Sequence, residues 1–185
     1  MSAAGIPLDR RDVVIGAMAC CLAPGIAVAN ESELPQKGDK LVLDAGPDDG
    51  KPVTLDSVTD KSGVVLAVPT DTGGAKKTGS RFSKVLLIRL KPEEIQDEFK
   101  SKAVDRVVAF SAVCTHAGCT INAFNPSSRR LECFCHHSEF SPAEGGAVAH
   151  GPARKRLPML PITKGEGGAL IVAGEFTGKP GPAPA

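Results

Sequence analysis

The sequence predicts an all-β chain, a small antiparallel barrel or sandwich with one short helix and an apolar N-terminal segment of separate character. Two observations carry this. From about Asn30 onward the apolar residues fall in short runs rich in Val, Ile and Leu, and Gly, Pro, Asp or Asn interrupts these runs every few residues. Helical spacing with a start signal occurs in one stretch, near Pro92. With 42% hydrophobic and 23% charged residues in 185, the chain has enough apolar surface for one globular core.

Near the N-terminus stands Asp9-Arg10-Arg11-Asp12, followed by the uncharged residues 13–29, which end in Ala27-Val28-Ala29. An Arg pair, a moderately apolar run and an A-x-A site have the layout of a twin-arginine export signal. The run is a little short of the roughly 20 residues that cross a bilayer. Residues 1–29 are therefore expected to be a cleaved signal or a retained membrane anchor, with an internal packed helix as the third reading.

In the body, residues 40–43, 53–55, 64–68 and 85–90 read as strands, with Gly46-Pro47-Asp48-Asp49-Gly50 and Asp71-Thr72-Gly73-Gly74 as turns. The segment 73–80, with Lys76 and Lys77, reads as a solvated hairpin loop, the alternative being a small field that steers an acidic partner. Pro92 at a first helical position, Glu93 and Glu94 behind it, and Ile95 and Phe99 at i, i+4 predict a helix ending near Lys102. Residues 107–111 form a buried strand. Residues 121–124 and 130–132 then read as a hairpin around Asn125-Pro126-Ser127-Ser128, and the apolar runs 157–162 and 169–172 complete the barrel. The Pro- and Gly-rich residues 178–185 are expected to be a mobile tail.

The chemistry is concentrated between residues 114 and 140. Cys114-Thr115-His116-Ala117-Gly118-Cys119 is followed by thirteen residues and then by Cys133-Phe134-Cys135-His136-His137-Ser138-Glu139-Phe140. Two thiolates and two imidazoles fit a metal site, and one cysteine is left over in each box. A structural zinc site also accepts Cys and His at short spacings, but zinc rarely uses C-x-H and does not account for the extra cysteines.

These two boxes, with the later Gly151-Pro152-Ala153, closely resemble those of the Rieske iron–sulfur proteins. The resemblance covers the C-terminal half of the chain and implies a 2Fe-2S cluster held by two Cys on one iron and two His on the other. By that resemblance Cys114 and Cys133 ligate the inner iron, His116 and His136 ligate the outer iron, and Cys119 and Cys135 form a disulfide. It further implies a Rieske domain over 30–177, with the cluster-binding part at about 107–155. A disulfide needs an oxidising compartment, which agrees with the export signal. Neutral imidazoles in place of two thiolates remove negative charge, so such centres span about −150 to +300 mV, against about −400 mV for plant-type ferredoxins.

The residues around the cluster tune it. Ser138 stands where high-potential members place a hydroxyl that donates to a bridging sulfide. Phe140 stands where they often have a donating Tyr, so a positive but lowered potential is expected. Gly151 and Pro152 belong to the segment that covers the cluster in the family, whose second proline is replaced here by Arg154. Quinol-oxidising members usually have Leu where this chain has Ala117, and commonly Gly where it has His137.

The resemblance thus implies one-electron transfer with no catalytic residues of the chain's own. The expected protein is an exported carrier, or the small subunit of a periplasmic oxidoreductase such as arsenite oxidase. The alternative is the Rieske subunit of a cytochrome bc-type complex. Its partner is then a catalytic oxidoreductase subunit, a cytochrome b or a cytochrome c, and its place is the periplasm or the periplasmic side of the inner membrane. A net charge of +1 with no Trp or Tyr disfavours nucleic acid.

Overall fold

The structure is a computed structural model describing Met1 and residues 33–182. The expected signal or anchor at 1–29 lies, apart from Met1, outside the described residues. No described helix is long and apolar enough to cross a membrane.

The described residues form three antiparallel sheets, as the all-β reading requires. The first contains β1 (Leu41–Leu43), β2 (Val65–Pro69), β3 (Val85–Arg89), β4 (Val107–Ser111) and β9 (Met159–Leu160), in the order β1-β2-β3-β4-β9. The second pairs β10 (Ile162–Lys164) with β11 (Leu170–Val172). Lys40 bridges to Ile171, so this pair returns to the β1 edge. The third contains β5 (Ala123–Asn125), β6 (Arg130–Cys133), β7 (Ser138–Ser141) and β8 (Ala147–His150) in sequential order.

Strands β3 and β4 read as continuous apolar runs because both of their faces are buried. Their alternation divides the interior in two. Val85, Leu87, Val107 and Ala109 face one cluster with Leu41, Leu160 and Leu170. Leu86, Ile88, Val108 and Phe110 face the other, with Leu131, Phe140 and Leu157. The same two-residue period continues past β4 through Ala112 to Cys114, which therefore points into this second cluster. On β6, Cys133 shares the inward face with Leu131, and on β7 Ser138 shares it with Phe140.

Three expectations need correction. Residues 53–55 are not a strand. Pro52 and Thr54 make only isolated bridges, to Val42 and Ala169, and a 3-10 turn follows at Leu55–Ser57. Proline's missing N–H and the Thr54–Ser57 side-chain contact favour that turn.

The stretch 92–102 is not one helix but a 3-10 turn, Pro92–Glu94, and a single α-turn, α1 (Asp97–Lys100), with extended Ile95 and Gln96 between them. So short a helix is marginal alone. The break lets the Gln96 N–H reach the Ala143 carbonyl while Ile95 and Phe99 enter the core.

Lys77 is not solvated. It is 6% exposed and pairs with Asp39 at 2.9 Å, while Lys76 pairs with Asp49. Neither lysine carries a free charge for steering. At the other end, Pro180 and Gly181 of the expected tail are buried.

Candidate metal centre

Two hairpin loops carry the site. After β4 the chain continues to Cys114 and turns. The Gly118 N–H donates to the Cys114 carbonyl (2.9 Å), and the Cys114 N–H to that of Cys119 (2.8 Å). Ile121 N–H then donates to the Ala112 carbonyl at 2.7 Å. Gly118 has φ +81°, a left-handed conformation that lets this four-residue loop close. The second loop runs from Cys133, which ends β6, to its register partner Ser138, which begins β7. His137 closes it at φ +56°. The predicted hairpin around 125–128 is present as β5 and β6, with Asn125 opposite Arg130.

The structure brings the expected residues together. Cys119 and Cys135 are joined by a disulfide that ties the two loops. Cys114 and Cys133 are free thiols, 1% and 2% exposed. The imidazoles of His116 and His136 meet edge to face with centroids 4.6 Å apart, His116 half-buried and His136 exposed. Two sulfurs therefore lie inside and two imidazoles lie towards solvent.

A third segment closes over the loops. The Ala153 N–H donates to Ser138 Oγ at 3.2 Å, and Thr115 Oγ1 donates to the Lys155 carbonyl at 2.6 Å. Gly151 passes so close to the second loop that a Cβ there would lie 2.4 Å from the His137 carbonyl oxygen. Pro152 beside it is exposed. Phe140 is fully buried and contributes packing.

Several contributors escaped the sequence reading. Thr115 lies inside the first box, where a β-branched hydroxyl between two donor residues was the available signal. Nothing local to Arg81 marks it, yet its guanidinium rests on Gly118.

The donor set fits a metal group on two counts. Nδ1 of His116 is buried with no hydrogen-bond partner, a costly arrangement unless that lone pair is given to a cation. Burial first, and then the neighbouring Cys133 thiol, push the Cys114 thiol above its ordinary value. A bound cation is what would draw out the thiolate. Cys133 Sγ also lies within 4.8 Å of the Cys119 and Cys135 sulfurs, but those are spent in the disulfide. They leave a Cys2His2 set.

A β-sheet scaffold presenting buried thiols and outer imidazoles on two cross-linked loops suits an iron–sulfur group. Residues 83–161 match the family model of the Rieske [2Fe-2S] domain, and the chain carries that domain, which binds a 2Fe-2S cluster. Among curated proteins, a putative respiratory nitrate reductase subunit Rieske of Haloferax mediterranei is 39% identical over 107 residues, 57% of this chain and 48% of that protein. The cytochrome bc1 complex Rieske iron-sulfur subunit of Streptomyces lividans is 37% identical over 100 residues, 54% of this chain and 59% of that protein. The chain thus spans about half the length of these relatives. A solved structure, the cyanobacterial plasma membrane Rieske protein PetC3 from Synechocystis PCC 6803, is similar at a TM-score of 0.43 and 21% identity, over 64% of this chain and 93% of that one.

Proposed function

We propose that this chain passes one electron at a time through a 2Fe-2S cluster held by Cys114 and Cys133 on the inner iron and by His116 and His136 on the outer iron. The arrangement of two buried thiols beneath two outward imidazoles carries the reading. When bound, the cluster supplies a one-electron couple in the range of His-ligated centres.

The chain's own residues bind, orient and shield. His116 offers its unpartnered Nδ1. Ser138 is fully buried and accepts from the Ala153 N–H, which leaves its own proton to donate towards the cluster. The disulfide, the Thr115 bond and the Gly151 approach hold three segments over the site and keep water from the sulfurs.

In this reading the protein works on the periplasmic side as a carrier or small subunit of an oxidoreductase, of which arsenite oxidase is one example. A second reading is a Rieske subunit beside a cytochrome b, favoured by the likeness to bc1 subunits. In both, residues 1–29 serve as export signal or anchor.

The experiment is iron and sulfide analysis of the full chain, paramagnetic resonance of its reduced form, and a midpoint potential followed with pH. Two irons and two sulfides, with a positive midpoint that falls above neutrality, support the assignment. His116→Cys or His136→Cys should move the midpoint far down. Zinc in place of iron defeats the reading. Capture of the native protein from membranes, with or without cytochrome b, separates the two roles.

A further inference from the structure

We propose that residues 177–182 form a strap that positions His116, by tying together the two segments that brace the first loop on either side of it; this rests on the functional reading above. The braces come from distant parts of the chain. Before His116, Thr115 is 3% exposed and its Oγ1 donates to the Lys155 carbonyl at 2.6 Å. After it, the Arg81 guanidinium rests on Gly118, where a Cβ would lie 3.1 Å from Nη2. Each brace fixes one end of the short segment that carries the imidazole.

The strap holds both braces. Lys155 Nζ donates to the Lys179 carbonyl at 3.0 Å, so a single lysine joins Thr115 to the strap, through its backbone at one end and its side chain at the other. Two residues further on, Gly181 lies against the Phe82 ring, and a Cβ there would stand 2.5 Å from Cε1. Its φ of +79° is one that glycine adopts freely. The same Phe82 ring carries the Arg81 guanidinium, whose Cζ lies 5.0 Å from the ring centroid. One line of contact therefore runs from Gly181 through Phe82 and Arg81 to Gly118, and a second from Lys179 through Lys155 to Thr115.

The strap is itself anchored. The Thr177 N–H donates to the Met159 carbonyl, and Thr177 Oγ1 accepts from the Met159 N–H, both at 2.9 Å. Phe176 before it packs against the cluster of Leu160 and Leu170. Ordering a terminus rich in Pro and Gly costs conformational entropy, which the burial of Pro180 and Gly181 offsets. The segment that bears Arg81 has supports of its own: the Gly79 N–H donates to the Glu33 carboxylate at 2.9 Å, and the Phe82 N–H to Ser80 Oγ at 3.2 Å. Lifting the strap thus leaves that backbone in place and frees the side chains of Phe82 and Arg81. Residues 79–82 and 177–182 lie outside the stretch 83–161 that matches the family model, so the bracing reaches beyond the matched domain.

The test compares the full chain with Gly181→Val, whose side chain forces the strap and Phe82 apart, and with Lys155→Met, which keeps the carbonyl that Thr115 uses and removes the ammonium. Amide hydrogen exchange is followed residue by residue in the metal-free and in the cluster-loaded chain. In both variants the Cys114 and Gly118 N–H groups should exchange about tenfold faster, while those of the second loop, β3 and β4 stay at the parent rate. In the loaded chain the paramagnetic resonance lines of the reduced form should broaden, because His116 takes a spread of orientations. Arg81→Gln should reproduce the effect of Gly181→Val, and the two together should add little. Unchanged exchange in the first loop overturns the proposal. An equal rise across both loops, β3 and β4 does so too, since the strap would then be a general support, as does full additivity of Gly181→Val with Arg81→Gln. A chain that takes up no iron defeats the functional reading, whereas exchange in the metal-free chain still decides whether the strap braces the first loop.

Discussion

Arg129 and Glu94 meet in a two-bond fork, Nε to Oε1 at 2.8 Å and Nη2 to Oε2 at 2.7 Å. Arg129 stands at the turn of the β5–β6 hairpin that carries the second loop, and its guanidinium also covers the Phe124 ring. Glu94 belongs to the 3-10 turn Pro92–Glu94, where it additionally accepts from the Lys91 N–H. The fork therefore fixes the angle at which the hairpin leaves the core.

Arg129 holds the Glu94 carboxyl below its ordinary value of 4.5, with the Lys91 N–H adding to this against the cost of burial. A depressed carboxylate contributes stability that is present above its unfolded value and lost as the pH falls through the folded one. Glu94→Gln should cost about 1 kcal/mol at neutral pH. The gap to the parent should close below about pH 4.5, as urea unfolding at several pH values will show.

Gly151→Ala should damage the site. Its φ of +86° and the 2.4 Å approach to the His137 carbonyl leave no room for a Cβ, so the covering segment must lift. The expected cost is about 2 kcal/mol or more, visible as a lower melting temperature and faster loss of the cluster's absorbance. His137 tests the partner of this contact. It occupies a left-handed conformation that His tolerates and a β-branched residue does not. His137→Gly should be close to neutral, while His137→Val should cost about 1–2 kcal/mol.

Asp39 and Lys77 form a pair in which both side chains are below a tenth exposed. Removing one charge strands the other. Asp39→Asn or Lys77→Met alone should destabilise by roughly 3 kcal/mol, and the double change by much less. A double-mutant cycle by denaturant titration measures the difference; additive losses would mean that the two charges act independently.

Ser138→Ala removes the hydroxyl proposed to donate towards the cluster. A hydrogen bond of about 1 kcal/mol corresponds to roughly 40 mV for one electron. Film voltammetry should therefore show the midpoint lowered by about that amount. An unchanged midpoint would assign Ser138 to holding Ala153 alone.

Much of this was legible in the sequence because it is local. The alternation along 107–111 points Phe110 inward, and two and four residues on it points Ala112 and Cys114 inward as well. Asn125-Pro126-Ser127-Ser128 announced its hairpin because Asn125 Oδ1 accepts from the N–H groups of Ser127 and Ser128. What was hidden depends on distant partners. Lys77 looks like any loop lysine until Asp39 is placed beside it, and the helix expected from Pro92 is broken by a carbonyl at Ala143 that its own residues do not reveal. Arg81 likewise lies far along the chain from the loop it rests on.

The four sulfurs of the site also constrain the order in which it can be made. The Cys114 and Cys133 thiols are both free and buried, and Cys133 Sγ lies within 4.8 Å of the two sulfurs that form the disulfide. Four such cysteines can pair in three ways, and each of these consumes Cys114 and Cys133. An oxidant that meets the bare loops must choose among them. Were iron to hold Cys114 and Cys133 first, as proposed, only the Cys119–Cys135 cross-link would be left to form. A metal group bound there would thus act as a protecting group for the chain's own oxidation, and assembly in the reverse order would lead towards a scrambled, metal-free protein.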